Sequence, residues 1–277
     1  MTILMTGLCE KGADQIWKQC NDARYAQGVT WLEEAAYAGD AEAWFFLGHC
    51  YSWGDGAVGF NEKKAYECYL RGASAGSARA VLGALRAGQY DEQMKQSARY
   101  SIEESYRPVR DAAEMGDVYA AWQMGEAVEW EDLADYMPQT ESAREQCLFW
   151  YERAADGGII PAMVKMGKCC QNGTYREKDE KEALRWANQC AASGEVWGLF
   201  QMGEHYRQEE DWEAAFQYDY AAAKQGSSRA MLYLGQMYLN GQGTERDIQA
   251  AVQALENAAA RNEAESFEEL GNLFYQD

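Results

Sequence analysis

Apolar and small residues recur along this chain in two alternating patterns. The first is an aromatic or apolar pair, two small residues and a closing Gly. It reads Trp31-Leu32 with Ala35-Ala36 and Gly39, Trp150-Tyr151 with Ala154-Ala155 and Gly158, and Trp186-Ala187 with Cys190-Ala191 and Gly194. Tyr218 with Ala222-Ala223 and Gly226 follows it, and Leu255 with Ala258-Ala259 closes on Asn262 instead. The second is a small residue, then Leu-Gly or Met-Gly four positions on, then an aromatic: Ala43, Leu47-Gly48, Tyr51; Gly198, Met202-Gly203, Tyr206; Ala230, Leu234-Gly235, Tyr238; Ser266, Leu270-Gly271, Phe274. Variants stand at Ala78 with Leu82-Gly83, Ala120 with Met124-Gly125 and Ala162 with Met166-Gly167. Both patterns keep apolar residues at i, i+3, i+4 and i+7, the period of an amphipathic helix.

The closing positions Gly39, Gly76, Gly116, Gly158, Gly194, Gly226 and Asn262 lie 32 to 42 residues apart. A fixed period in this range decides the architecture. Each unit is predicted to be a helical hairpin, with the closing Gly or Asn in a left-handed C-cap. Loops such as Gly54 to Val58 and Asn240 to Gly243 join its helices. Ala and Gly on a helix face permit close approach, and Leu, Trp and Tyr fill the remaining space. One hairpin cannot bury its apolar faces alone, so the expected fold is an all-α solenoid of about seven stacked units.

Two stretches depart from the pattern. Between Gly83 and Gly116 no G-x-G loop appears, and Pro108 occupies the Trp position, which predicts a second helix that starts late or at Pro108. Between Gly125 and Trp150 lies an insertion, about residues 126–146, with Glu126, Glu129, Glu131, Asp132, Asp135, Glu141 and Glu145 against Arg144 alone. A charge run of this kind is a solvated helix extension and loop, or a docking loop for a basic partner. Pro161 reads as the first turn of a following helix.

These residues resemble the Sel1-like repeats, relatives of the tetratricopeptide repeats, with the pattern A-x-x-x-L-G-x-x-Y, G-x-G-V, K-A-x-x-W-Y, A-A-x-x-G. Residues 43–76 match most fully, through Ala43, Leu47-Gly48, Tyr51, Gly54, Gly56, Val58, Lys64-Ala65, Tyr69, Ala73 and Gly76. The resemblance covers about residue 22 to the C-terminus. It implies a right-handed α-solenoid of helix-turn-helix repeats: residues 1–39 a capping segment and first half-repeat, 40–262 the array, and 263–277 a C-terminal capping helix. It also implies an adaptor or scaffold role more than any one activity.

The 277 residues carry 45 Asp and Glu against 25 Lys and Arg, a net charge of −20. That argues against nucleic acid or an anionic membrane as partner and points to a basic or neutral one. No stretch of 18 uninterrupted apolar residues occurs, and the segment MTILMTGLCEKGAD lacks the basic region of a secretory signal. The eight cysteines include no C-x-x-C, so a structural zinc site is not expected. They are expected to be reduced, buried thiols in the cytoplasm. Some secreted proteins of the resembling family carry a disulfide in each hairpin, which only Cys50 with Cys68, and Cys169 or Cys170 with Cys190, could imitate.

GDGAVG at Gly54 to Gly59 spells a dinucleotide-binding turn but follows a helix instead of a strand, so no cofactor is expected. The two histidines, His49 and His205, lie near no special nucleophile in the pattern, and adjacent carboxylates such as Glu103-Glu104 point to different sides of a helix. An enzyme or ligand pocket near Trp53, Trp130 and the histidines is the least favoured reading.

In each first helix the positions just before Leu and just after Gly share a face that the core does not use. They are Phe46 and His49, Val81 and Ala84, Gln123 and Glu126, Lys165 and Lys168, Gln201 and Glu204, Tyr233 and Gln236, and Glu269 and Asn272, with Trp53 and Trp130 one turn on. The resemblance implies that this stripe lines the concave side, where a partner protein would bind. Phe46, His49 and Trp53 form an apolar patch there: either a partner surface, or ground that residues 1–30 cover as a cap. The expected function is a non-enzymatic adaptor, with an acidic inhibitor or immunity-type protein neutralising a cationic partner as the alternative.

Overall fold

A computed structural model describes residues 2–18, 22–53, 58–88, 102–129 and 143–275. Among them the chain is all-α, with fifteen helices and no strand. These are α1 (Thr2–Trp17), α2 (Asp22–Tyr37), α3 (Ala41–Trp53), α4 (Glu62–Ser74), α5 (Ala78–Gly88), α6 (Ile102–Glu114), α7 (Val118–Glu129) and α8 (Ala143–Asp156). There follow α9 (Ile160–Asn172), α10 (Glu180–Ala192), α11 (Val196–Gln208), α12 (Trp212–Lys224), α13 (Ser228–Asn240), α14 (Ile248–Ala259) and α15 (Ala264–Tyr275). Within each unit consecutive helices pair as hairpins stacked in the manner of an α-solenoid, with the first helices α3 and α5 of neighbouring hairpins also in contact. The chain forms two compact units, Met1–Met166 and Gly167–Asp277.

One junction recurs wherever a second helix hands over to the next first helix. Gly39, Gly76, Gly116, Gly158, Gly194 and Gly226 have φ between +82° and +102°, and Asn262 has +62°. Each amide bonds back to the carbonyl three residues earlier, and the following amide reaches back five, as in Asp40 to Ala35 at 3.0 Å and Ser227 to Ala222 at 3.1 Å. This is the Schellman arrangement, and Cβ-free Gly adopts it without strain. The next residue then caps the new helix: Asp40 accepts from the amides of Glu42 and Ala43, Ser77 from Ala80, Asp117 from Tyr119 and Ala120, and Ser227 from Ala230. No linker separates the two helices.

The packing contact is as regular. Where the contact forms, the glycine of a first helix faces a residue seven before a closing position. A Cβ on Gly48 would lie 2.5 Å from Tyr69 Cε1, one on Gly83 2.7 Å from the same ring, one on Gly125 2.7 Å from Tyr151, and one on Gly235 2.6 Å from Leu255 Cγ. Tyr69 thus lies between the glycines of two successive first helices. Where that residue is the small Ala187, the Trp197 ring fills the space over Gly167.

Helix α1 belongs to this scheme. Gly12 meets Leu32, with its missing Cβ 2.8 Å from Leu32 Cγ, so α1 and α2 form a hairpin of the same kind. The expectation for the second helix near Pro108 is corrected: α6 begins at Ile102, with Pro108 inside it. Pro108 is exposed, so the carbonyl deprived of its donor can turn to water. Cys9, Cys50, Cys68, Cys147, Cys169, Cys170 and Cys190 are buried and stand in no disulfide. Burial raises the Cys68 thiol to about 11 and that of Cys170 in the same direction, which suppresses the thiolate. Cys20, and the turn at Gly54 to Ala57, lie outside the described residues.

The glycine contacts separate two substitutions that the sequence pattern treats alike. Gly235→Leu must displace Leu255, whereas a Cβ on Gly271 meets nothing within 4 Å. Gly235→Leu is expected to cost about 1–3 kcal/mol, seen as a lowered thermal midpoint. Gly271→Ala, in a helix interior, should be neutral or gain up to about 1 kcal/mol. Equal loss in both would mean that the contact over Gly235 is not what holds the last full hairpin.

Candidate functional site

In the first unit the expected partner stripe is covered. Phe46 and His49 are 3% and 4% exposed, and Gln123 and Glu126 are buried as well. The cover is the C-terminal end of α1: the Trp17 ring lies 5.2 Å from Phe46, 5.5 Å from His49 and 5.7 Å from Trp122. Below it α3 meets α7 directly, Phe46 against Tyr119 at 5.0 Å and His49 against Trp122 at 4.4 Å. The helix between them, α5, offers only Val81 and Ala84 on this face, so the rings on either side close over it. The Tyr119 hydroxyl ties the cap down by donating to Asp14 of α1 at 2.7 Å. Of this group only Trp53 keeps half its surface exposed; Trp130 lies outside the described residues.

The polar stripe residues here make internal bonds. His49 Nε2 is 3.4 Å from Glu126 Oε2, and Arg86 Nη1 is 3.5 Å from the same oxygen. Gln123 Nε2 donates to the Arg79 carbonyl at 2.9 Å. Burial alone would raise the Glu126 carboxyl, but the hydrogen bond from His49 and the charges of His49, Arg86 and Lys165 hold it below the usual range. Glu126 is therefore an internal anion, which corrects its place in the acidic run. Glu129 is engaged too, accepting from the Tyr151 hydroxyl at 2.7 Å and pairing with Lys165. Residues 130–142 of that run lie outside the described residues.

In the second unit the stripe is open. Lys168 is exposed, and Gln201, Glu204, Tyr233 and Gln236 are partly so. Gln201 and Glu204 line a cleft of about 470 Å³ with Gln171, Leu184 and His205. Tyr233 and Gln236 line a second, of about 370 Å³, with Arg207, Trp212 and Glu269. Gln171 donates to Gln201 at 2.6 Å, and Gln236 to Glu269 at 2.9 Å, so the amides are held in place along the stripe.

Beneath the second cleft lies a feature that the sequence reading missed. Asp219 is fully buried and stands where Tyr69 and Tyr151 stand in their hairpins, facing Gly203. It pairs with Arg207, whose guanidinium lies 3.8 Å from the Tyr233 ring centre. Its Oδ1 has no partner, and burial, opposed by Arg207, raises the carboxyl to about 6. The signal was available: an acid seven residues before a closing Gly, where other repeats carry apolar residues.

The Sel1 repeat family pattern matches residues 23–40, 41–77, 118–159, 160–195 and 228–263, more than half of the chain. It leaves out the hairpin with Pro108 and the hairpin with Asp219. The crystal structure of a Sel1 repeat protein from Oxalobacter formigenes is 22% identical, with a TM-score of 0.53 over 97% of this chain and 86% of that one. A protective antigen of uropathogenic Escherichia coli displaying an SLR fold is 22% identical, with a TM-score of 0.57 over 98% and 57%. At this identity the two show the fold alone. An uncharacterized protein of Neisseria meningitidis serogroup B is 28% identical over 174 residues, 62% of this chain and 34% of that protein. The chain thus spans about a third of that relative's length.

The buried acid has a consequence in pH. Between the ordinary carboxylate value and about 6 the folded chain keeps a proton on Asp219 that the unfolded chain has released, so stability falls as pH rises through this window. Corrected for intrinsic rates, hydrogen exchange in α11 and α12 should be better protected at pH 5 than at pH 7, by about 1 kcal/mol. Asp219→Asn should remove the difference. Equal protection at both pH values, or an Asn variant that keeps the difference, would show that Asp219 is not the titrating group.

Proposed function

Because the chain belongs to the Sel1 repeat family, we propose that it is a non-enzymatic adaptor that holds a protein partner along α11 and α13 of its second unit. The observation that carries this reading is the contrast within one stripe: Phe46, His49, Gln123 and Glu126 are spent on internal packing, while Gln201, Glu204, Tyr233 and Gln236 remain accessible and line two clefts. A preformed face of this kind costs little ordering on binding. A basic partner suits it, since the chain carries −20 and Glu204 and Glu269 border the clefts.

Two further features favour binding over catalysis. Burial holds the Cys68 and Cys170 thiols protonated, and His49 is buried and engaged by Glu126. No helix among the described residues is long and apolar enough to cross a membrane. The buried cysteines among the described residues stand in no disulfide, which suits a reducing compartment such as the cytoplasm.

The test is to isolate the bound protein from the native host and measure its binding kinetics. Tyr233→Ala should raise the dissociation rate at least tenfold, as for a central aromatic anchor. Glu204→Lys should slow association, more at low salt than at high, because the Debye length is roughly 8 Å at physiological ionic strength. Wild-type kinetics in both variants, or a strongly acidic partner, would overturn the proposal.

A further inference from the structure

The inner face of the first unit is closed except at Trp53. Trp17 and Trp53 hold the same register, each five residues after the glycine of its first helix, Gly12 and Gly48. They differ in what the next first helix offers. Trp17 meets Phe46 and His49 and is 1% exposed. Trp53 is offered Val81 and Ala84 at the matching positions, stacks on the His49 ring at 6.0 Å, and remains 51% exposed. A cleft of about 210 Å³ is left, walled by Trp53, Phe60 and Tyr69, with His49 and Arg86 deeper and Glu62 exposed beside it.

This space is smaller than the roughly 300–1,000 Å³ of sites for small organic ligands and is suited to one side chain. Its chemistry selects a cation. Arg86 and His49 are both engaged by Glu126, whereas Glu62 makes no ion pair with a described residue. The chain also stacks its own arginines on aromatic rings: Arg71 over Trp44 at 4.9 Å, Arg185 over Trp186 at 4.0 Å, Arg207 over Tyr233 at 3.8 Å. Trp53 and Phe60 carry no such cation among the described residues.

We propose that the Trp53 cleft takes one arginine side chain of the partner, its guanidinium stacked on Trp53 and Phe60 and paired with the Glu62 carboxylate. Arginine fits better than lysine because its planar head stacks on a ring while its edge forks onto a carboxylate. The inference rests on the reading of a basic protein partner and adds an anchor for it outside the second unit.

Saturation-transfer NMR on the whole chain tests it with three probes: Nα-acetyl-arginine amide, its uncharged isostere Nα-acetyl-citrulline amide, and Nα-acetyl-leucine amide. The arginine probe should bind at least about fivefold tighter than citrulline. Trp53→Ala should abolish its signal, and Glu62→Gln, an exposed change that leaves the fold intact, should erase the preference over citrulline. Leucine binding as well as arginine, an arginine signal unchanged in Glu62→Gln, or no binding of any probe would each overturn the proposal. The kinetics of Tyr233→Ala and Glu204→Lys are read separately, so an empty cleft leaves the partner site of the second unit standing.

Discussion

The structure depends on the missing Cβ of one glycine per first helix. With nothing at that position, the second helix can lay a residue of its own against the backbone: Leu32, Tyr69, Tyr151 and Leu255 all use the space. Because that residue stands seven before the closing position, the contact and the helix end of a hairpin are set together, and Tyr69, which also lies against Gly83, carries the register on to the next hairpin. Departures are made good by neighbours. Trp197 reaches over Gly167 where Ala187 is too small, and Arg207 accompanies Asp219 where an acid has entered the slot.

The repeat was legible because its signals are local. Glycines, small residues and aromatics at fixed offsets state helix, cap and packing partner within one hairpin, and the closing glycines do adopt positive φ. What escaped notice was one further unit at the start: Gly12 lies 36 residues before Gly48, a full period, but α1 lacks the Leu and Tyr that make the pattern easy to see. Pro108 misled for a related reason. Its effect on a helix depends on whether the freed carbonyl faces water, and a lone sequence does not state this.

The candidate site was less legible, since exposure depends on residues far apart in the chain. In the sequence Phe46, His49 and Trp53 read as one apolar patch, either a partner surface or ground for a cap, and the fold buries the first two. What covers them comes from α1 and α7, and the closure turns on the small size of Val81 and Ala84 between them. Glu126 shows the same limit: in the sequence it heads an acidic run, yet in the fold it is the anion that His49 and Arg86 share. In the second unit, Gln201, Glu204, Tyr233 and Gln236 stay partly exposed, with no aromatic helix among the described residues laid across them.

The junction at each closing glycine also bears on how such a chain can change over time. Because one residue ends a helix and the next begins another, as at Gly39 and Asp40, an inserted residue there would break both the cap and the register of every contact beyond it. Among the described residues, the link between helices inside a hairpin ranges from the three residues between α11 and α12 to the seven between α13 and α14. Natural lengthening, and equally the grafting of a foreign peptide, is thus confined to one end of each hairpin. The chain can acquire new recognition loops there while its stacking edge stays the same.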